Sequence, residues 1–324
     1  MTIPRPSDLL LFACSVFFAL NMGGTGFSPS FSAAIGAKQI RRGYAVILFT
    51  LCVGLGAFFI GGHVAQTLGS SIVPAASIDR KTALIVIASA SVALFIANLA
   101  KVPESTSWVT VFGLVSLGLM RSNLNAHTII YKLLPSWVSV PPVAFLLTWV
   151  LTRQLYPLRG WNYRLYEHLT KHEWKLRIIV IVSSCYLAVA AGANNVANVV
   201  GPLASTGIFS IGTGMLLFTP VFGLGALFLS PASTMSNDVV PLGLYSAAII
   251  NVVVGTLMIT VSWMGISQSL VQTHVLAVFA IAFAKEGSYQ VFRHRIIRRI
   301  LVYWIISPLL AASFVAALIT LFDK

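Results

Sequence analysis

The sequence predicts an all-α polytopic membrane protein made of two inverted-topology repeats. Each repeat has about five spans, with broken helices or re-entrant hairpins at the bilayer midplane. Three observations carry that expectation. Apolar runs of about 20 residues, each long enough for a hydrocarbon core of roughly 30 Å, recur from end to end. The two halves share a segment in register. Basic residues gather in alternate connections between the runs.

Composition sets the class. Of 324 residues, 57% are hydrophobic and 9% charged, with a mean hydropathy of +0.89. A soluble domain carries about 25% charged residues. A β-barrel would show alternating segments of about 10 residues, and the sequence has none. The opening "MTIPRPSDLLLFACSVFFALNMGG" has the look of a signal peptide, but its pattern recurs mid-chain, so it is read as the first span. The net charge of +13 lies in short connections, which suits anionic lipid and argues against nucleic acid as a partner. Cys14, Cys52 and Cys185 lie in apolar stretches without paired spacing, so neither a disulfide framework nor a metal site is expected.

A shift of 169 positions lays "LFTLCVGLGAFF" (48–59) over "LFTPVFGLGALF" (217–228), with eight of twelve residues identical. The same shift lays Gly23 on Gly192 and Ser15 on Ser184. The expected spans are roughly 8–34, 43–66, 82–100, 106–134 and 137–153, then roughly 177–206, 208–230, 240–264, 270–284 and 300–321. This divides the chain into a first repeat (1–155), a basic aromatic interfacial connector (156–176) and a second repeat (177–324). With the N-terminus outside, Lys38, Arg41 and Arg42 fall inside. So do Arg153, Arg159, Arg164, Lys171, Lys175 and Arg177 around the connector, and the basic stretch 285–299. Both termini are then outside a plasma membrane, and Arg121 and Lys132 are exceptions to the charge rule. An odd number of spans per half turns the second copy upside down, as in secondary transporters whose sites lie where the repeats meet. The Gly/Ala-rich faces at 53–62 and 222–229 suit close packing, within a subunit or in a homodimer.

Two kinds of segment spoil the apolar runs. "VAAGANNVANVVGPLASTG" (189–207) places Asn194, Asn195 and Asn198 among glycines and a proline. Polar groups at that depth need a partner or a wet cavity, so residues 192–202 are expected to unwind beside one. The matching place in the first half offers Thr25, Ser28 and Ser30, with Gly23, Gly24, Gly26 and Pro29. The second kind is "KVPESTSWVTVFG" (101–113) and its counterpart "WMGISQSLVQTH" (263–274). Pro followed by Ser-Thr-Ser starts a helix, and a helix N-terminus presents unpaired N–H groups to anions. Two such ends approaching from opposite faces would form a pocket of donors for a tetrahedral oxyanion. Ordinary surface capping and Asn as interhelical glue account for either segment taken alone; their recurrence in both halves favours the pocket.

"GANNVANVVGP" (192–202) resembles the GANDVANA signature of the inorganic phosphate transporter (PiT) family. "PESTS" (103–107) is similar to its Pro-x-Ser-Thr-Ser/Thr stretch, and "YWIISPLLAA" (303–312) to its closing segment. The resemblance covers nearly the whole chain. It implies a substrate site drawn from Asn194, Asn195 and Asn198, from Ser105, Thr106 and Ser107, and from Ser267, Gln268 and Ser269, with Thr25 and Ser28 from the first half. The signature Asp is replaced by Asn195 in one half and by Gly26 in the other. In the family those acids look like sodium ligands, and a hard cation wants negative oxygen. The loss of both acids, with a short chain and no large central loop, resembles the sulfate permease branch.

The chemistry leans the same way. Sulfate has no proton to offer an acceptor near neutral pH, so a donor-only site suits it, whereas phosphate gains from an acceptor. The expected activity is import of sulfate, with thiosulfate as a variant, by proton symport, Na+ being the less favoured coupling ion. Sodium-coupled phosphate transport is the alternative. Glu104 is the first candidate proton carrier, followed by Glu286 and Asp238, with His127 and His274 behind them. Catalysis is not expected: the chain lacks a Gly-x-Ser-x-Gly elbow and a nucleotide-binding loop. A passive anion channel and a membrane-embedded enzyme are the readings from other classes.

Overall fold

A computed structural model describes residues 6–100, 102–155, 160, 163, 167, 173–228, 242–286 and 295–322. Among them every regular element is helical: α1 Pro6–Gly36, α2 Arg42–Phe59, α3 Gly61–Gln66, α4 Arg80–Leu99, α5 Thr106–Met120, α6 Leu134–Leu155, α7 Glu173–Asn195, α8 Ala197–Ser205, α9 Ile211–Phe228, α10 Leu244–Trp263, α11 Leu270–Glu286 and α12 Arg295–Phe322. Among the described residues seven helices are long and apolar enough to cross a membrane, and Thr106–Met120, Ile211–Leu227 and Leu270–Lys285 are shorter apolar helices. The chain is a multi-pass membrane protein.

Local chemistry sets the helix ends. α1 opens on Pro6, whose missing N–H costs nothing at a helix start, with Asp8 in the first turn of positive dipole. Asp79 caps α4 by accepting from Thr82 N at 2.8 Å. α10 ends in a Schellman turn: Gly265 takes φ +70, its N–H reaches Ser262 O, and Ile266 N reaches Val261 O, both at 2.9 Å. The same 6→1 bond closes α4, from Val102 N to Ala97 O at 3.1 Å.

Two expectations fail. Residues 106–134 are not one span. α5 stops at Met120 and the chain turns over 121–125, where Ser122 takes φ +53. The next span starts with a π-helical turn, Thr128–Leu133, and runs through α6. Pro135 does not break it, because it lies just past that turn, where the i→i−4 ladder is already irregular. Nor do residues 192–202 unwind. α7 and α8 are interrupted only at Val196, itself right-handed (φ −61, ψ −31), and α1 runs unbroken through Pro29. Asn194 and Asn198 meet their partners through side chains, so the backbone does not need to open.

Close backbone approaches hold the bundle together. A Cβ added to Gly192 would lie 2.0 Å from Val53 O, and one on Gly56 1.8 Å from Val189 O. A Cβ on Gly23 would lie 1.9 Å from Phe222 O, and one on Gly225 2.1 Å from Leu20 O. Every residue in the second pair of contacts is the counterpart of one in the first under the shift of 169. The Gly/Ala-rich faces therefore pack inside the chain, α2 on α7 and α1 on α9.

Polar contacts sort the ends. At one end, Arg80 pairs with Asp8 at 2.8 Å, Lys81 donates to Phe322 O, and Arg121 donates to Ser77 O at 3.0 Å. This termini face gathers the start of α1, the entry to α4, the end of α5 and the end of α12. At the other end, Ala34, Val180 and Ala248 pack together, and Arg42 donates to Ala226 O and Leu227 O at 3.2 and 3.1 Å. The hairpin α4–α5 is thus entered from the termini face and α10–α11 from the connector face.

Candidate functional site

The two hairpin tips meet inside the bundle, with Ser107 Oγ on α5 2.9 Å from Gln268 O. Each tip starts its returning helix the same way. Ser105 Oγ accepts from Trp108 N, and Ser269 Oγ from Gln272 N, both at 3.1 Å. A serine that caps through its oxygen still has its O–H free to donate. A shift of 164 lays Ser105 on Ser269 and Glu104 on Gln268, so a carboxyl in one tip answers an amide in the other.

Asparagines from α7 and α8 stitch the tips together. Asn194 Oδ1 accepts from Ser107 Oγ at 3.1 Å, while its Nδ2 donates to Ser262 Oγ at 2.9 Å and to Ile266 O at 3.1 Å. The Ser107 O–H is one hydrogen shared between Asn194 and Gln268. Asn198 Nδ2 donates to Thr106 Oγ1 at 3.3 Å, and Asn198 Oδ1 accepts from Ser267 Oγ at 3.2 Å. Each of these amides therefore touches both hairpins.

Several buried groups at this junction have no hydrogen-bond partner among the described residues: Asn195 Oδ1, Gln268 Nε2, Gln272 Nε2, Trp108 Nε1 and Glu104 Oε2. Glu104 Oε1 accepts from Ser105 N at 2.9 Å, and the Ser307 hydroxyl of α12 lies beside the same carboxyl. A buried donor without an acceptor is costly, and three of the five are N–H donors. The arrangement is a fully enclosed set of amides, hydroxyls and helix starts with one carboxyl at its edge.

Of the residues singled out in the sequence, Ser105, Thr106, Ser107, Asn194, Asn195, Asn198, Ser267, Gln268 and Ser269 are all buried on the tips or on the helices against them. Thr25 and Ser28 are buried too, but their hydrogen bonds stay within α1, Thr25 Oγ1 donating to Met22 O at 2.8 Å and Ser28 pairing with Ser32 at 2.9 Å. Asp238 lies outside the described residues, as does the side chain of Glu286. A His-x-x-x-His spacing, His168 and His172 flanked by Glu167 and Glu173, stands in the connector; both histidines lie outside the described residues.

The last helix of each half supplies residues that the sequence reading missed. Trp137 Nε1 donates to Ser267 O at 2.8 Å and Ser136 Oγ to Gln268 Oε1 at 3.0 Å. Trp304 Nε1 donates to Pro103 O at 3.2 Å. Each half thus clamps the other half's tip. The signal was present: a shift of 167 lays Trp137 and Pro141 on Trp304 and Pro308.

A polytopic helical fold that closes two hairpin tips over a buried polar site defines a membrane transporter rather than a soluble binding module. The chain belongs to the phosphate transporter family, whose sequence profile matches residues 22–315. It is 32% identical to the sulfate permease CysP of Bacillus subtilis over 320 residues, covering 98% of this chain and 88% of that protein. It is 25% identical to a putative phosphate permease of Methanocaldococcus jannaschii over 302 residues, covering 92% of each. Its fold matches a solved structure titled "The sodium-dependent phosphate transporter" with a TM-score of 0.82 at 19% identity, covering 98% of this chain and 99% of that one.

Proposed function

We propose that this chain is a secondary active importer of a tetrahedral oxyanion, sulfate before phosphate, driven by protons. The observation that carries the anion is the meeting of two serine-capped helix starts around buried N–H groups, Gln268 Nε2 and Gln272 Nε2 among them, with no cationic side chain among the described tip residues 102–108 and 266–272. Neutral, preorganised donors suit a strong acid's dianion. The proposed repeats are 1–155 and 177–324, inverted about the connector 156–176, with both termini outside. The glycine contacts related by the shift of 169, and hairpins entered from opposite faces, support that arrangement.

The family's sodium site does not fit these residues. At position 26 a Cβ would already lie 3.1 Å from the Phe222 ring and 3.4 Å from Phe49, so aromatic rings fill the space a carboxylate would need. At position 195 the acid is a neutral amide. Glu104 is the proposed proton carrier: a carboxylate beside a bound dianion is repelled unless protonated, so anion and proton enter together. Gln268, the amide counterpart of a protonated Glu104, already occupies the equivalent place in the other tip.

Asn195 Oδ1 supports phosphate as the second reading, since it is a buried acceptor that a phosphate O–H would satisfy. A half-turn of that amide exchanges acceptor for donor and returns the site to sulfate. Replacing Asn195 with Asp separates the two. For a sulfate carrier, the added charge will raise the KM for sulfate about tenfold or more. Uptake unchanged by Asn195→Asp would remove this residue from the pocket, and improved phosphate uptake would favour the second reading.

A further inference from the structure

Lys132 breaks the charge rule of the chain and has no part in the site described above. It lies inside the span Thr128–Gln154 and is half-buried. Its ammonium donates to Thr67 Oγ1 at 3.1 Å and makes no ion pair among the described residues. It sits against the turn of the second hairpin: a Cβ on Gly265 would lie 3.1 Å from Lys132 Nζ, 3.0 Å from Thr67 Oγ1 and 2.9 Å from His63 O. One helical turn deeper on the same face of the span, Ser136 reaches Gln268 and Trp137 reaches Ser267. On the other side, the chain beyond Thr67 leads to the termini face, where Ser205 Oγ meets Gly69 O at 2.5 Å and Asn125 N meets Ile72 O at 2.9 Å. Lys132 therefore stands between the termini face and the hairpin tips.

A lysine in a span without a counter-ion is costly unless it faces a pathway or a charged ligand. Two acids of the termini face are engaged elsewhere, Asp8 with Arg80 and Asp79 at the start of α4. We propose that Lys132 is the anion-recruiting residue of this carrier, drawing the dianion from the termini face and handing it one turn inward to the Ser136–Gln268 tip. The proposal rests on the oxyanion reading. It adds to the neutral site a single cation placed outside it, where charge raises local anion concentration without trapping the substrate.

The test is initial-rate uptake of radiolabelled sulfate, with a parallel phosphate arm, into proteoliposomes holding the full chain. Lys132→Met will raise KM about tenfold with Vmax retained, and Lys132→Arg will stay near wild type. In a background lacking Cys14, Cys52 and Cys185, Lys132→Cys will recover when modified by an aminoethyl thiosulfonate and not by its sulfonatoethyl analogue. The unmodified protein gives an independent measure that needs no variant: its KM will rise with ionic strength as screening shortens to about 8 Å and less. A KM that ignores ionic strength overturns the proposal. So does a loss confined to Vmax that restored charge does not mend, which would make Lys132 a strap on the Gly265 turn. If the unmodified protein moves neither anion, the oxyanion reading fails and the proposal with it.

Discussion

Gly192→Ala and Gly56→Ala will each leave a chain that barely survives purification. Their Cβ atoms would stand 2.0 and 1.8 Å from carbonyl oxygens of the facing helix, and those oxygens belong to backbone that cannot rotate away. The α2–α7 crossing would have to open by more than about 1 Å, which forfeits much of the dispersion along the crossing. Overpacking of this kind costs about 3 kcal/mol or more, enough to lower the apparent Tm by roughly 10 °C in a protein of this size. Gly43 and Gly212 are the controls, since a Cβ on either meets nothing within 4 Å. Gly43→Ala and Gly212→Ala will be neutral or slightly stabilising, because alanine is the better helix former. Thermal unfolding in detergent, followed by size-exclusion profile, reads all four. Equal behaviour of the tight and the open positions would mean that the crossing between the halves is not as close as described.

Glu104→Gln will separate binding from coupling. The substitution copies the tip of the other hairpin, where Gln268 already stands, so folding and exchange of labelled for unlabelled sulfate will persist. Accumulation will not. A pH gradient of one unit supports at most about tenfold accumulation per proton, and Glu104→Gln will bring the ratio down to the passive limit. The pH dependence of uptake will flatten with it. The direction follows from linkage: an anion that binds with a proton binds better as pH falls, and the amide has no proton to take. Undiminished proton-driven accumulation would place the proton elsewhere, for instance on His274, whose side chain bonds the Pro29 carbonyl of α1.

Much of this architecture was legible in the sequence because the bilayer enforces it. Long apolar runs have few alternatives, and "PESTS" and "ISQSL" start helices wherever they stand. Partnership was harder to read. Asn194 and Asn198 suggested a broken backbone, since the sequence does not reveal that Ser107, Thr106, Ser262 and Ser267 arrive from other elements to satisfy them. The break after α5 was placed between 134 and 137, beside Pro135, whereas the chain turns at "RSNLN" (121–125), which holds the left-handed Ser122. Trp137 and Trp304 carry no local mark of their role, since the carbonyls their indoles reach, Ser267 O and Pro103 O, belong to the opposite tip. Thr25 and Ser28 stand at the place that matches the asparagines under the repeat, but a hydroxyl in a helix readily bonds within its own helix, and theirs do.

The most direct measurement is radiolabelled sulfate uptake into proteoliposomes under an inward proton gradient, then an inward sodium gradient, with unlabelled phosphate as competitor. The account predicts concentrative uptake with protons, none added by sodium, and little inhibition by phosphate. Sodium-driven uptake abolished by phosphate would contradict it, and would mean that the chain finds its cation ligands somewhere other than positions 26 and 195.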